Sequence, residues 1–170
     1  MRLELLALRS IQRVLADRRA IGSAKALSLF GEHAAGWLAL GAAGAALDRG
    51  RRRQWLAATA GVALAHAASI AVKRAVRRPR PAHPDVEVRA ATPSTLSFPS
   101  AHATSSTAAA VLLGGLAGRH ATPVLLSAVV PPMALSRLVL GVHYPSDVLA
   151  GAALGAAVGA GVRSAMGLLR

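Results

Sequence analysis

The stretch Ser136–Asp147, Ser-Arg-Leu-Val-Leu-Gly-Val-His-Tyr-Pro-Ser-Asp, places an arginine, a histidine and an aspartate at a glycine-containing bend between two apolar runs. Pro145 suits the first turn of a helix, so Asp147 falls about two positions further in, where its carboxylate favours the helix dipole and can reach back to His143. An imidazole held by a carboxylate is a directed base or nucleophile. The plainer alternative makes Asp147 a helix-start residue and His143 an interfacial histidine.

Two more segments carry residues of the same kind. Ser97-Phe98-Pro99-Ser100-Ala101-His102 stands immediately before an Ala/Thr/Ser-rich helical run. A helix start with small residues exposes backbone N–H groups to an anion; Ser100 adds a hydroxyl and His102 a potential acid. Alternatively, Ser100 merely caps the helix. Upstream, the long irregular segment from Lys73 to Pro99 contains Arg78-Pro79-Arg80-Pro81, Pro84 and Pro93. Lys73 and Arg80 are two helical turns apart, so a helix continuing past Lys73 aims both cations in similar directions. Otherwise these charges only anchor a helix at anionic headgroups.

The elements that must position these residues are apolar. The chain has 170 residues, 54% hydrophobic but only 3% aromatic, with no cysteine and a net charge of +13. Apolar excess with a pI near 12 describes a membrane protein with basic loops. A nucleic-acid binder would share the charge, but the long charge-free runs and the missing aromatics argue against one. Five apolar spans are expected, at Ala34–Leu47, Trp55–Val72, Ala103–Ala117, Val124–Leu135 and Val148–Val162. Their Ala and Gly content, as in the Gly151, Gly155, Gly159 series, suits close helix–helix approach.

Residues 1–27 alternate Arg2, Arg9, Arg13, Arg18, Arg19 and Lys25 with Leu5, Leu8, Ile11 and Leu15 at helical spacing. They read as an amphipathic helix lying in the headgroup region or packed on the protein, and not as a signal peptide. The predicted fold is therefore all-α, a single membrane-embedded domain of about five transmembrane helices plus an N-terminal amphipathic helix. Counting crossings brings Lys73, His102 and His143 to one membrane face. Glu32 and His33, at the mouth of the first span, could line the site; the expectation is that they simply snorkel to the interface.

Lys73 with Arg80-Pro81, then Pro99-Ser100-Ala101-His102, then Ser136-Arg137 with His143 and Asp147, resembles the three-part signature of the type 2 phosphatidic acid phosphatases. That superfamily also includes soluble vanadium haloperoxidases and bacterial acid phosphatases. One departure is visible: Ala101 stands where the family usually has glycine, retaining the N–H but adding a methyl group. The chain is also short of one of the six helices common in membrane-bound members.

The resemblance implies that His143 attacks phosphorus to form a phosphohistidine and that Asp147 orients the imidazole. His102 protonates the leaving group and then activates water. Lys73, Arg80 and Arg137, with Ser100 and the Ala101 N–H, bind the non-bridging oxygens. Neither metal nor cofactor is expected, the partners are the bilayer and a membrane lipid phosphate, and vanadate should inhibit. A non-catalytic lipid-phosphate binder would have no need of His102, His143 and Asp147 together.

Family members act on undecaprenyl pyrophosphate, phosphatidylglycerol phosphate, diacylglycerol pyrophosphate and phosphatidate. The small size and Ala/Arg/Gly-rich composition are similar to short actinobacterial members acting on decaprenylphosphoryl-5-phosphoribose, which makes a polyprenyl-linked substrate the first expectation. The expected location is the bacterial inner membrane. With Lys73, Arg80 and Arg137 set aside, the motif face and N-terminal segment carry 10 Lys/Arg against 7 opposite. This margin leans toward a cytoplasmic site, although the Arg49–Arg53 cluster pulls the other way.

Overall fold

The computed structural model describes residues 2–118 and 120–167. Arg119 and Arg170, two of the charges counted opposite the motifs, lie outside the described residues. The described chain is helical: α1 Arg2–Leu15, α2 Arg18–Gly31, α3 Ala35–Leu47, α4 Arg52–Val76, α5 Ala101–Ala117, α6 Ala121–Ala128, α7 Val130–Val139 and α8 Pro145–Gly167. Short 3-10 turns at Glu32–Ala34 and Arg49–Arg51 lead into α3 and α4.

The N-terminal amphipathic segment is two helices rather than one. Asp17 ends the first run and caps the second, its carboxylate accepting from the Ala20 N–H at 2.8 Å. The apolar face of α1 packs on the protein, with Leu8 fully buried beside Val86, Leu138 and Val148. Gln12, also buried, donates to the carbonyls of Glu87 and Val139 and accepts from the Glu87 N–H, so α1 clasps the long loop against α7.

Three segments are long and apolar enough to cross a membrane: Arg49–Val76, Ala121–Val139 and Pro145–Gly167. The fourth predicted span lies in the second of these, which is broken at Val129 into α6 and α7. Pro131 and Pro132 occupy the first turn of α7, where their missing N–H groups cost least. α3 and α5, at 13 and 17 residues, are shorter than the roughly 20 that a perpendicular crossing needs. Leu40, Leu56, Leu64, Leu126 and Leu149 are all exposed on the bundle's outside, as lipid-facing side chains are. The chain is an integral membrane protein.

α5 is the central helix, buried along most of its length. It touches α4 on one side and α8 on the other. Contact with α8 runs along the glycine series: a Cβ at Gly155 would overlap the Thr104 carbonyl, and one at Gly159 would come 3.1 Å from Val111 Cβ. Only glycines allow this approach, which brings the Asp147 carbonyl within 2.9 Å of the Ser100 N–H. The starts of the two motif-bearing helices are thereby tied to each other.

Candidate active site

α4 does not continue through the basic cluster. It ends at Val76, with Arg77 left-handed at φ 55°, so the predicted helical alignment of Lys73 with Arg80 is not how they meet. Arg80 comes back instead on an extended segment, Pro79 bridging to Leu96 across the loop. The prolines on either side of Arg80 explain the extended path.

Lys73 donates to the carbonyls of Leu96, Ser97 and Pro99 at 3.2, 3.0 and 2.9 Å. An ammonium has three protons, so these bonds use them all. Lys73 therefore braces the segment leading into α5 and lends charge to the site at the same time.

Arg80 donates through Nε to the Ser94 carbonyl at 2.9 Å and through NH1 to the Val142 carbonyl at 2.7 Å. The same NH1 is 3.3 Å from His143 Nε2. A guanidinium can only donate, so Nε2 carries the lone pair and Nδ1 the proton. Nδ1 faces Asp147 Oδ2 at 3.4 Å, longer than a good hydrogen bond, and it has no other partner. The imidazole is thus oriented with its basic nitrogen toward the cations and its N–H toward the carboxylate. Burial lowers the His143 pKa to about 4, against the raising effect of Asp147. The ring is neutral, as a nucleophile must be, through the physiological range.

His102 Nε2 lies 3.0 Å from the Ser28 carbonyl. A carbonyl only accepts, so Nε2 carries hydrogen and the lone pair of the neutral ring is on Nδ1. Arg137, almost fully buried, donates to Ser28 Oγ at 3.0 Å, to Ser136 Oγ at 3.1 Å and to the Ala24 carbonyl at 3.4 Å. α2 thus holds both the expected acid and an expected phosphate ligand.

One cavity of about 330 Å³ collects Lys73, Arg80, Ala101, His102, Arg137 and His143 on its walls. Ser100 and Asp147 are fully buried behind them. The Ser100 hydroxyl accepts from the Ala103 N–H at 3.4 Å, the capping alternative for this residue. Glu32 and His33, both exposed, line the same cavity. The turn that carries them puts His33 and Ala34 at φ 50° and 60°, a cost of about 1–3 kcal/mol for each residue held there.

Four participants escaped the sequence reading. Arg78 NH1 donates to Asp147 Oδ1 at 2.8 Å and to Ser146 Oγ at 2.7 Å, while NH2 pairs with Glu4 at 2.6 Å. Glu4, on α1, also accepts from the Ser146 hydroxyl and from the Ser146 N–H at the start of α8. These bonds outweigh desolvation and hold the Glu4 pKa below the usual carboxylate range. The Arg-Pro-Arg-Pro alternation offered a signal for Arg78, because residues two apart on an extended segment share a face. Glu4, Ser28 and His66, which also lines the cavity, had none.

A helical bundle whose inner helix starts and cations converge with His102 and His143 on one cavity is suited to phosphoryl chemistry. The chain belongs to the PAP2 superfamily, whose family model matches residues 54–169. It is 62% identical over 143 residues to the decaprenylphosphoryl-5-phosphoribose phosphatase of Mycolicibacterium smegmatis, covering 84% of this chain and 77% of that one. Identity to the protein of the same name from Mycobacterium tuberculosis is 56% over 159 residues, 93% of this chain and 88% of that one. Among solved structures, the fold resembles Aquifex aeolicus LpxE, with a TM-score of 0.75 at 22% identity over 95% of each chain. A transmembrane PAP2 type phosphatidylglycerolphosphate phosphatase from Bacillus subtilis gives 0.77 at 18% identity, over 98% of this chain and 87% of that one.

Proposed function

We propose that the protein hydrolyses a phosphomonoester on a polyprenyl-linked sugar phosphate, decaprenylphosphoryl-5-phosphoribose or a close relative, at the bacterial plasma membrane. The observation carrying the reaction class is His143: a buried, neutral imidazole with Nε2 beside the Arg80 guanidinium and Nδ1 toward Asp147. The substrate follows from the relatives at 56% and 62% identity, whose names share it. Five crossings, with α3 and α5 completed by flanking turns and α6–α7 counted as one, fit this reading. α1 and α2 then lie at the face that carries the cavity.

The reaction runs in two displacements. The His143 Nε2 lone pair attacks phosphorus as the bond to the leaving alkoxide breaks, and protonated His102 gives that oxygen its proton. Asp147 steadies the positive charge appearing on the imidazole. Arg80, Arg137 and the charge of Lys73 hold the non-bridging oxygens, with the Ala101 N–H at the helix start. Water then attacks the phosphohistidine, neutral His102 takes its proton, the N–P bond breaks and inorganic phosphate leaves. Three fixed cations supply positive charge at the transferring phosphoryl group.

Phosphate release by detergent-purified protein with EDTA present, across polyprenyl-phosphoribose phosphate, polyprenyl pyrophosphate, phosphatidylglycerol phosphate and phosphatidate, tests this reading. The polyprenyl-phosphoribose phosphate should give the highest kcat/KM, and His143→Ala should abolish release. Retained turnover in His143→Ala, or a higher ranking for a glycerolipid, would sink the corresponding part.

A further inference from the structure

Beyond the phosphate cradle, the cavity has a second wall that the two displacements leave unused. Glu32 and His33 reach it from the turn between α2 and α3, and His66 from α4. The two imidazole rings meet edge to face, 6.3 Å between centroids. The supporting backbone is strained, with His33 and Ala34 both left-handed and Ala34 fully buried in the core around Trp37 and Leu112. Consecutive non-glycine residues persist in that conformation only where the surroundings over-determine it, and such strain collects at ligand contacts. His66 Nδ1 is buried with no hydrogen-bond partner among the described residues. No protein group therefore fixes its tautomer, and Nε2 can present a donor or an acceptor.

We infer that Glu32, His33 and His66 form a head-group subsite that binds the vicinal hydroxyls of the sugar whose phosphate occupies the cationic end. This rests on reading the site as a phosphatase and adds what selects the substrate. Charge is the deciding factor. A carboxylate accepts hydrogen bonds from neighbouring hydroxyls, whereas a phosphate joined directly to the one in the cradle, and so set beside Glu32, is repelled; the lipid-side phosphodiester of the sugar phosphate is held off by the ribose. That disfavours a pyrophosphate head. Phosphatidate brings no free hydroxyl and leaves the three polar groups unmatched, the situation in which a hydrogen-bonding site discriminates most. At about 330 Å³ the cavity is within the range that holds a small ligand.

The test uses Glu32→Gln and His33→Gly in the full-length protein in detergent. Glycine adopts φ near 50° more readily than histidine, so His33→Gly removes the imidazole without straining the turn. The readouts are KM and kcat on a polyprenyl-phosphoribose phosphate, beside inhibition by vanadate, which probes the phosphate cradle alone. Glu32→Gln should raise KM roughly ten- to a hundred-fold, the worth of a charge-assisted hydrogen bond, and His33→Gly roughly two- to ten-fold, the worth of a neutral one, with kcat and vanadate inhibition near wild type. An unchanged KM, or vanadate inhibition weakened in parallel, overturns the subsite and leaves the phosphatase reading standing. Wild-type protein that cleaves another lipid phosphate but not the sugar phosphate overturns both the subsite and the proposed substrate.

Discussion

Arg78 and Asp147 form an ion pair, NH1 to Oδ1 at 2.8 Å, with the guanidinium partly exposed and the carboxylate wholly removed from solvent. The other oxygen, Oδ2, accepts from the Tyr144 N–H at 2.8 Å and faces His143. Arg78 thus fixes which edge of the carboxylate is turned to His143. It also stacks on the Tyr144 ring, 4.1 Å from its centroid.

Removing Arg78 should therefore act twice. Arg78→Ala leaves a buried carboxylate short of its cation, a loss on the order of 3 kcal/mol. It should also lower kcat more than it raises KM, because the phosphate ligands are untouched. Arg78→Lys should recover part of the stability and little of the rate, since an ammonium cannot bridge Asp147 and Glu4 as a planar fork does. Thermal unfolding in detergent beside steady-state kinetics checks both; a full rescue by lysine would contradict the argument.

Glu4→Gln should reduce kcat while leaving KM near wild type. Its carboxylate offsets the Arg78 charge and caps the first turn of α8 at Ser146. Without it Arg78 draws harder on Asp147, which then supports the positive imidazole less. A loss of roughly five- to thirty-fold corresponds to about 1–2 kcal/mol. Unaltered kinetics would confine α1 to packing.

The protonation state of His143 can be followed directly. With its pKa lowered to about 4 by burial, the ring stays neutral on acidification until the solution approaches that value. Below it the imidazolium has no lone pair and cannot attack. Ring nitrogen NMR shifts should show Nδ1–H, Nε2-unprotonated histidine from pH 7 down to about pH 5. Protonation of His143 near pH 6.5, or the opposite tautomer, would overturn the assignment.

Lys73→Arg should fail almost as completely as Lys73→Met. The ammonium fits three converging carbonyls, Leu96, Ser97 and Pro99, and a planar guanidinium cannot meet them from one point. Phosphate release by the two variants compares them; substantial activity in the arginine variant would mean that charge alone is required.

Gly155→Val should separate α8 from α5, because the added atoms meet the Thr104 backbone and Thr107. Overpacking of this kind costs about 1–3 kcal/mol. As the same contact ties Ser100 to Asp147, activity should fall further than at Gly161, where an added Cβ meets nothing within 4 Å. Parallel unfolding and activity measurements on Gly155→Val and Gly161→Val test this.

The sequence exposed what depends on spacing within one segment. His143 and Asp147 lie one helical turn apart, and Ser100 and His102 mark a helix start, so their neighbourhood was legible. The route of Arg80 was not, because a left-handed Arg77 ends α4 before the basic cluster and the chain doubles back. The break at Val129 was hidden inside an apolar run whose prolines suit a first turn as well as a loop. Ser28 and Glu4 act across separations of 74 residues or more. Such contacts leave no local periodicity, and one of them uses only a backbone carbonyl.

The Glu4 contacts also bear on the order of synthesis. α1 is made before its partners, Arg78 following Glu4 by 74 residues and Ser146 by 142. The Glu4–Arg78–Asp147 chain is joined only when α8 has packed against α1. A chain lacking α8 would hold Lys73, Arg80 and His102 without Asp147 beside His143, so on the proposed mechanism hydrolysis would wait for α8 to pack.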